Sequence, residues 1–362
     1  MLGLLLLPVS EAASLENSLQ VLKSVGPEGR GNGEARQAWP VVAAAPGSEL
    51  TVILAAMDGA NDYALNWLRA AVETVVVRET AAGRRPPVSE LETFLGATTH
   101  HPRARRLAYE LILQTDPERA RKLVPGFLND PANELRRDAV QLLMDAATNQ
   151  VALQKPAAVA GYRQALQAAR DADQIEAIAK SLGELGEKVD LIQTFGWLTR
   201  WKLIGPFDNT ANAGFAKAFP PEQGIELTGE YEGKKGRVKW VDYETKSDNG
   251  LVDFNQPFEA LKEVAGYALA EFWSETARTA EMRLGSENGW KLWVNGKLLF
   301  GRDEYHTGAE IDQFRLPVEL QAGRNVILVK CTQNELVEDW TKDWGFWLRI
   351  TDAQGTPVRS AR

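Results

Sequence analysis

Hydrophobic positions follow a helical period through the first half of the chain. Between residues 61 and 78 they recur at spacings of three and four, as on the buried face of an amphipathic helix. Shorter segments of the same kind follow at 89–95, 102–114, 117–128, 133–147, 156–169 and 173–185. Proline at or near the start of several of them is typical of a helix N-terminus. The pattern predicts an all-helical domain over residues 48–196.

Two of these helical segments resemble each other at a spacing of 31 residues. The sequence RRLAYEL at 105–111 aligns with RRDAVQL at 136–142. Helix pairs that recur at about this spacing are typical of an α-solenoid, whose repeats bury their apolar faces by stacking. The segments resemble HEAT-like repeats. The arginines of these segments are Arg103, Arg105, Arg106, Arg136 and Arg137. They either line a concave basic face or, as we favour, lie on a solvated helix face beside acidic residues.

From residue 197 onward the hydrophobic period changes to two. Trp290, Leu292 and Val294 point to one face of a predicted strand, and the residues between them point to the other. The Asn295-Gly296 pair that follows predicts a tight hairpin, because both central residues of a type I′ turn need a positive φ. Residues 297–300 predict the returning strand.

Several further short strands are predicted in the second half of the chain. Their bounds are 238–243, 267–273, 279–284, 314–320, 325–332 and 346–351. Glycine and asparagine turns separate them, and no helical segment intervenes. Such a series predicts an antiparallel β-sandwich or jelly roll over residues 197–362. The expected fold class is therefore α+β in two domains, an N-terminal α-solenoid and a C-terminal sandwich.

The first 47 residues carry two different signals. Residues 1–12 contain the apolar run Leu4–Leu7 and a small-x-small site at 10–12, which predict the remnant of a secretory signal, although a basic start is missing. The alternative is an ordinary buried first turn. Residues 13–47 are rich in Gly, Pro and Ala and predict a flexible lead-in. From the signal-like start we expect an exported protein, periplasmic, cell-surface or extracellular. No run approaches the ~20 apolar residues of a membrane-spanning helix, so no membrane span is expected.

Charge and cysteine content exclude several classes of protein. A formal net charge of −8 argues against a general nucleic-acid binder, which needs a basic surface. Cys331 is the only cysteine of this sequence, so a disulfide within the chain and a cysteine-based zinc site are excluded. It shares a strand face with Ile327 and Val329, which predicts a buried and unreactive thiol.

Three stretches of the second half carry a resemblance to known domains. They are LGSENGWKLWVNGKLLF at 284–300, LPVELQAGRNVILVKCTQNE at 316–335 and DWGFWLRI at 343–350. Together they resemble the galactose-binding-like β-sandwich, an accessory domain of glycoside hydrolases. The first stretch is also similar to PA14 domains, which usually place paired Asp where this chain has Glu287-Asn288. With the helices upstream, the chain resembles large exported proteins of planctomycete-type bacteria, which implies an architecture and an exported location.

Signatures of an enzyme are absent from the sequence, so we expect no catalytic activity. The histidines are His100, His101 and His306, without an HExxH pair, and no G-x-S-x-G elbow occurs. One segment, at 335–344, would place three carboxylates on one face if it were helical: Glu335, Asp339 and Asp343. Three interpretations are open for this segment. We favour a loop that caps the sandwich core; the alternatives are a calcium site and the carboxylate pair of a glycosidase.

Sugar recognition needs aromatic faces for stacking and polar groups at the rim. The predicted ligand-binding residues are Trp293, Asn295, Arg302, Asp303, Tyr305, His306, Trp340 and Trp344. The leading hypothesis is a non-catalytic exported protein that binds carbohydrate or another extracellular polymer through the sandwich, with the helices as scaffold. The alternatives are a protein-interaction scaffold and, third, a glycoside hydrolase. No cofactor is expected, and only a structural calcium ion is left open.

Overall fold

The computed structural model describes residues 14–361, so the predicted signal segment lies outside the described residues. The chain divides into two compact units, Met1–Ala169 and Arg170–Arg362. An all-helical region is followed by antiparallel sheets that form a sandwich, which confirms the predicted fold class. The predicted division at 196–197 falls after the first two helices of the second unit.

The first unit consists of helices, and all but the last contribute to one apolar core. Their bounds are α1 Leu15–Lys23, α2 Asn32–Ala43, α3 Leu50–Ala55, α4 Asp62–Ala81, α5 Val88–Gly96, α6 Pro102–Thr115, α7 Pro117–Leu123, α8 Asn133–Gln150 and α9 Lys155–Ala168. The predicted apolar stripe of α4 is buried at Leu65, Leu68, Val72 and Val75. Asn61 caps this helix, accepting the backbone N–H groups of Tyr63 and Ala64 at 3.0 Å.

The predicted flexible lead-in at 13–47 is wrong, because α1 and α2 occupy most of it. Leu22 of α1 and Val42 of α2 are fully buried in the core of this unit. The glycines that suggested flexibility mark the turn between the two helices: Gly29 and Gly31 have φ of 77° and 79°. Glycine adopts these angles without a steric penalty, so a glycine-rich stretch here fixes a turn.

Two of the repeat arginines are buried, which corrects the prediction of a solvated face for them. Arg105 is 1% exposed; its Nε donates to the Leu95 carbonyl at 2.8 Å and its two terminal nitrogens to the Asp130 carboxylate at 2.6 Å each. Arg136, 31 positions later, is 6% exposed and its Nε donates to the Asp130 carbonyl at 2.8 Å. Both side chains hold interhelical loops in place.

Two other arginines of the set match the prediction of a face paired with acids. Arg103 lies 3.4 Å from the Asp62 carboxylate, and Arg106 lies 3.1 Å from that of Glu110. Neither leaves an open basic surface.

Membrane-span criteria give one partial match within residues 14–361. No single helix is long and apolar enough to cross a membrane. The helix pair Asn32–Ala43 and Gly47–Ala55 meets the criteria only when taken together, and it is bent by 120°.

The second unit begins with α10 Ala172–Glu184 and α11 Leu191–Phe195, followed by the strands. The strands are β1 Arg200–Asp208, β2 Glu230–Gly233, β3 Gly236–Lys239, β4 Val241–Glu244, β5 Val252–Asp253, β6 Val264–Ser274, β7 Arg278–Gly285, β8 Gly289–Val294, β9 Lys297–Arg302, β10 Phe314–Leu320, β11 Gly323–Gln333 and β12 Gly345–Thr351. Short helices interrupt them: α12 Ala213–Ala216, α13 Pro220–Gln223 and α14 Asn255–Phe258. The strands form a six-stranded sheet in the order β4-β1-β6-β11-β8-β9, a four-stranded sheet in the order β10-β7-β12-β5, and the hairpin β2-β3.

The predicted strand faces and hairpin of β8 and β9 are confirmed. Trp290, Leu292 and Val294 are buried in the core between the two larger sheets. Asn295 and Gly296 have φ of 51° and 78°, as a type I′ turn requires. Cys331 is fully buried in the same core, and burial raises the pKa of its thiol.

A second apolar cluster covers the outer face of the six-stranded sheet. The segment 209–224, here named the strap, places Phe219 against Phe207 and Tyr267. Lys330 of β11 lies beneath it, fully buried. Its Nζ donates to the carbonyls of Phe215 at 3.0 Å and Lys217 at 2.7 Å and to the Glu222 carboxylate at 2.8 Å.

Candidate functional site

The eight predicted binding residues are spread over several places in the second unit. Trp293 and Asn295 lie at the tip of the β8–β9 hairpin. Arg302 is the last residue of β9, and Asp303, Tyr305 and His306 follow it. Tyr305 and His306 approach the start of β8, at the end away from the hairpin tip. Trp340 and Trp344 belong to the loop before β12. The set therefore does not form one site.

The residues at the hairpin tip stabilise the sheet. The Asn295 side chain accepts the Val326 N–H at 2.8 Å and donates to the Asn325 side chain at 2.9 Å. Trp293 is half-buried and packs against the outer apolar cluster, opposite Leu298 of β9. The polar atoms of Asn295 are thus used within the protein.

Arg302, Asp303 and Tyr305 also have structural surroundings. Arg302 pairs with Glu304 and lies 5.0 Å from the centre of the Phe314 ring, while Asp303 is exposed. The Tyr305 hydroxyl shares a hydrogen bond of 2.8 Å with Thr332. Burial raises the pKa of Tyr305 to about 12. Tyr305 thereby fastens the loop after β9 to β11.

The conditional helix at 335–344 does not form, so the shared carboxylate face is absent. Only Asp339–Thr341 is helical, as one short 3₁₀ turn. The buried Thr341 hydroxyl donates toward the carbonyls of Leu336 and Glu338, both at 2.9 Å, which takes acceptors that an α-helix would use. The favoured interpretation, a loop over the sandwich core, describes this segment.

Trp344 is a core residue, and its ring offers almost no surface to a ligand. It is 1% exposed, its Nε1 donates to the Cys331 carbonyl at 3.1 Å, and its ring stacks on Phe254 at 5.0 Å. This corrects its assignment as a binding residue. Burial of this large indole fixes the end of the 335–344 loop next to β12, while the middle of the loop is exposed.

Trp340 and His306 form what we name the aromatic shelf. Trp340 is 62% exposed, and the His306 ring meets it edge to face at 5.5 Å and 84°. His306 is held by its backbone N–H, which donates to the Glu287 carbonyl at 2.6 Å, and by Nε2, which lies 2.9 Å from the Asn334 side-chain oxygen. A large flat apolar surface therefore stays in solvent beside a fixed imidazole.

Next to the shelf lies a cleft of about 350 Å³ that contains three carboxylates. We name it the acidic cleft; its lining is Asn249, Leu251, Asp253, Glu287, Asn288, Ala309, Asp343, Trp344, Gly345 and Trp347. Burial raises the pKa of Asp253 and of Glu287, and the negative charge of Asp343 raises both further. The carboxylates are thus held close enough to repel one another.

The shelf and the cleft share a boundary. Glu287 lines the cleft and its carbonyl holds His306 of the shelf. Asp343 lines the cleft three positions after Trp340. Lys262 lies beside this boundary, with its Nζ donating to the Thr341 carbonyl at 2.6 Å. The arrangement places hydrogen-bond acceptors along one side of an exposed aromatic ring.

Sequence reasoning missed most of the cleft. Asp253, Glu287, Asn249 and Trp347, which is half-buried in the cleft wall, were not among the predicted binding residues. No local pattern marks these positions, because β5, the turn before β8 and the start of β12 meet only through sheet pairing. Of the described residues, no group of three or more His, Cys, Asp or Glu side chains is arranged to hold a metal ion.

Comparison with known proteins finds likeness in structure alone. No protein-family model matches the sequence, and no curated protein does. The structure is similar to the PA14 domain of the antifreeze protein MpAFP (11% identity, TM-score 0.21, 27% of this chain and 47% of that one). It is also similar to the PA14 sugar-binding domain from an RTX adhesin (13%, 0.21, 42% and 89%) and to a family 35 carbohydrate-binding module from an environmental isolate (17%, 0.18, 26% and 70%).

The matched regions are partial. The chain spans about half the length of the first two structures that it matches, 47% and 45%. At these identities and TM-scores the likeness carries no argument about the ligand of this chain. The function of the chain is therefore inferred from the shelf and the cleft.

Proposed function

We propose that the second unit binds carbohydrate at the aromatic shelf and the acidic cleft, without catalysing a reaction. The observation that carries the proposal is the 62% exposed ring of Trp340 beside a cleft lined by carboxylate and amide groups. Sugars combine an apolar ring face with a rim of hydroxyl groups, so they fit an aromatic surface bordered by hydrogen-bond acceptors. In this proposal the helical unit is the scaffold.

Other tryptophans of the unit show why Trp340 is distinctive. Trp290 and Trp344 are 0% and 1% exposed and belong to the core. Keeping an indole in water forgoes roughly 1.5–3 kcal/mol of burial for a large apolar side chain. A large exposed aromatic that borders a polar cleft is typical of an interaction site.

The direct test is a glycan-array screen of the full chain together with its Trp340→Ala variant. We expect wild-type protein to bind a restricted set of glycans and the variant to lose about tenfold in affinity, since a tenfold change corresponds to about 1.4 kcal/mol. Tyr63→Ala is the matched control, because Tyr63 is 50% exposed on the helical unit. Equal binding by wild type and Trp340→Ala would remove the shelf from the site.

The non-catalytic part of the proposal has its own test. Each glycan that binds is incubated with the full chain, and its reducing ends are measured over time. We expect none to appear. Release that disappears in Glu287→Gln would instead favour the hydrolase alternative, because a carboxyl with a raised pKa is what a general acid needs.

An exported location is the last part of the proposal. Its support is the apolar run and small-x-small site of the first twelve residues. Expression of the full chain with a C-terminal tag, followed by fractionation, should recover the protein outside the cytoplasm. Recovery in the cytoplasm alone would contradict this part and leave the binding proposal standing.

A further inference from the structure

The shelf and the cleft each offer their own aromatic ring to a ligand. Building on the carbohydrate proposal, we propose that they are two adjoining subsites for a saccharide of at least two sugar rings that carries no carboxylate or sulfate group. The proposal goes beyond carbohydrate binding as such, because it states the minimum length and the charge of the ligand. It can fail while carbohydrate binding stands.

Trp340 supplies the first subsite. Its ring is exposed on the loop before β12, and its contact with His306 is edge to face at 84°. An edge-to-face neighbour orients an indole without stacking on it. One sugar ring is enough to cover such a surface.

Trp347 supplies the second subsite, inside the cleft. It lies on β12 opposite Gly285 of β7. A side chain at Gly285 would collide with the Glu310 carbonyl, at 2.2 Å from the position of a Cβ, and would contact the Trp347 ring at 3.4 Å. The missing side chain thus leaves the ring of Trp347 uncrowded on the strand beside it.

The two subsites meet at Glu287 and Asp343. Both side chains line the cleft, and Glu287 is also bonded through its carbonyl to His306 of the shelf. A saccharide that extends from Trp340 into the cleft must pass these carboxylates, which accept hydrogen bonds from hydroxyl groups. A saccharide of two or more rings can reach both aromatic rings across this boundary.

Charge decides which saccharides fit. Asp253, Glu287 and Asp343 place three carboxylates on the cleft. Burial raises the pKa of the first two, and the negative charge of Asp343 raises both further. The nearby Lys262 ammonium donates to the carbonyl and hydroxyl of Thr341 at 2.6 and 3.2 Å, and its positive charge offsets only part of the negative charge of Glu287 and Asp343. An anionic sugar would add to the repulsion, because like charges at short range disfavour the charged forms.

The test uses β1,4-linked oligomers of glucose, of galactose and of N-acetylglucosamine, from one to four sugars, together with the oligomers of any glycan retained on the array. Binding to the full chain is measured by calorimetry. We expect the affinity to rise about tenfold from the monosaccharide to the longer oligomers. Trp340→Ala should abolish that rise in affinity, and its affinity for the monosaccharide should stay within about twofold of the wild-type value. Val337→Ala, in the same loop and 73% exposed, is the control and should change neither.

The charge limit is tested with the same oligomer after its C6 hydroxyl groups are oxidised to carboxylates. We expect the oxidised form to bind at least tenfold more weakly, and Glu287→Gln to narrow the difference. Affinity that is independent of length, equal loss of monosaccharide and oligomer in Trp340→Ala, or tighter binding of the oxidised oligomer would each overturn the two-subsite proposal. Failure of every glycan to bind would overturn the carbohydrate proposal itself.

Discussion

Two regions of the second unit hold charged side chains: in one a single cation is surrounded by acceptors, and in the other several like charges lie in one cleft. Beneath the strap, the single ammonium of Lys330 has three acceptors and is fully buried. In the acidic cleft, three carboxylates face one another, and the nearby Lys262 donates to Thr341. Burial acts on both regions, and it lowers the pKa of Lys330 to about 8 and raises the pKa of Glu287.

The difference separates charge that stabilises the fold from charge that is available to a ligand. Burying an ion is tolerated when hydrogen bonds satisfy it, as they do for Lys330. Mutually repelling carboxylates beside water contribute no such stability, and they are left with lone pairs to offer. Substitutions in the two regions should therefore change stability in opposite directions.

The largest expected effect is the loss of stability in Lys330→Met. Removing the ammonium leaves the Glu222 carboxylate buried beside Tyr267 without its ion-pair partner, which costs about 3–5 kcal/mol in the free energy of unfolding. Urea unfolding of the full chain measures it. Lys202→Met is the control, because Lys202 pairs with the exposed Asp242 and should cost about 1 kcal/mol or less. Equal losses in the two variants would mean that the strap is not held by Lys330.

A smaller effect of opposite sign is expected in the cleft. The pKa values of Asp253 and Glu287 are raised in the folded protein, so the protonated carboxyls favour folding. Their contribution to stability is complete below the pKa of the unfolded state and is lost as the pH rises through the pKa of the folded state. At neutral pH the combined variant Asp253→Asn, Glu287→Gln should therefore be more stable than wild type, with a free energy of unfolding about 0.5 kcal/mol higher.

The pH dependence of that difference is its control. At an acidic pH below the folded-state pKa values of the two carboxyls, both are protonated in wild type, and the advantage of the combined variant should shrink. Urea unfolding at both pH values gives the comparison. A variant that is less stable than wild type at neutral pH would show that the carboxylates contribute to the fold after all.

The smallest expected effect is that of Trp340→Ala on stability. Because the ring is 62% exposed, its removal should change the free energy of unfolding by about 0.5 kcal/mol or less. Trp344→Ala in the same loop should cost about 3–5 kcal/mol, since that ring is buried. Thermal unfolding of both variants separates the shelf from the core. A large loss in Trp340→Ala would turn the shelf into a structural element.

Local features of the second unit could be predicted from the sequence. The alternation in β8 and the Asn-Gly turn depend on neighbouring residues, and both were predicted correctly. The cleft could not be predicted, because Asp253 and Asp343 are 90 positions apart and approach one another through the pairing of β5 with β12. Lys330 and Glu222 are 108 positions apart, so their ion pair has no local signal either.

Errors of prediction also have physical reasons. In the lead-in, the glycine content predicts flexibility, whereas Gly29 and Gly31 form a turn with positive φ between two helices that each bury one face. At 335–344, the spacing of carboxylates suggested a helix that the Thr341 side chain disfavours by bonding to nearby carbonyls. Trp340 and Trp344 lie in the same short acidic stretch of sequence, and only the folded structure shows that one ring is exposed and the other buried.

The buried arginines of the helical unit bear on how such a chain changes length over generations. Arg105 and Arg136 stand at matching places in two similar stretches and hold loops through buried hydrogen bonds. Arg105 also bonds the carboxylate of Asp130, the residue whose carbonyl accepts from Arg136, so the two stretches share one loop residue and neither is complete alone. Loss of either whole stretch should therefore destabilise the other, because it leaves a buried arginine or its acceptor without a hydrogen-bond partner.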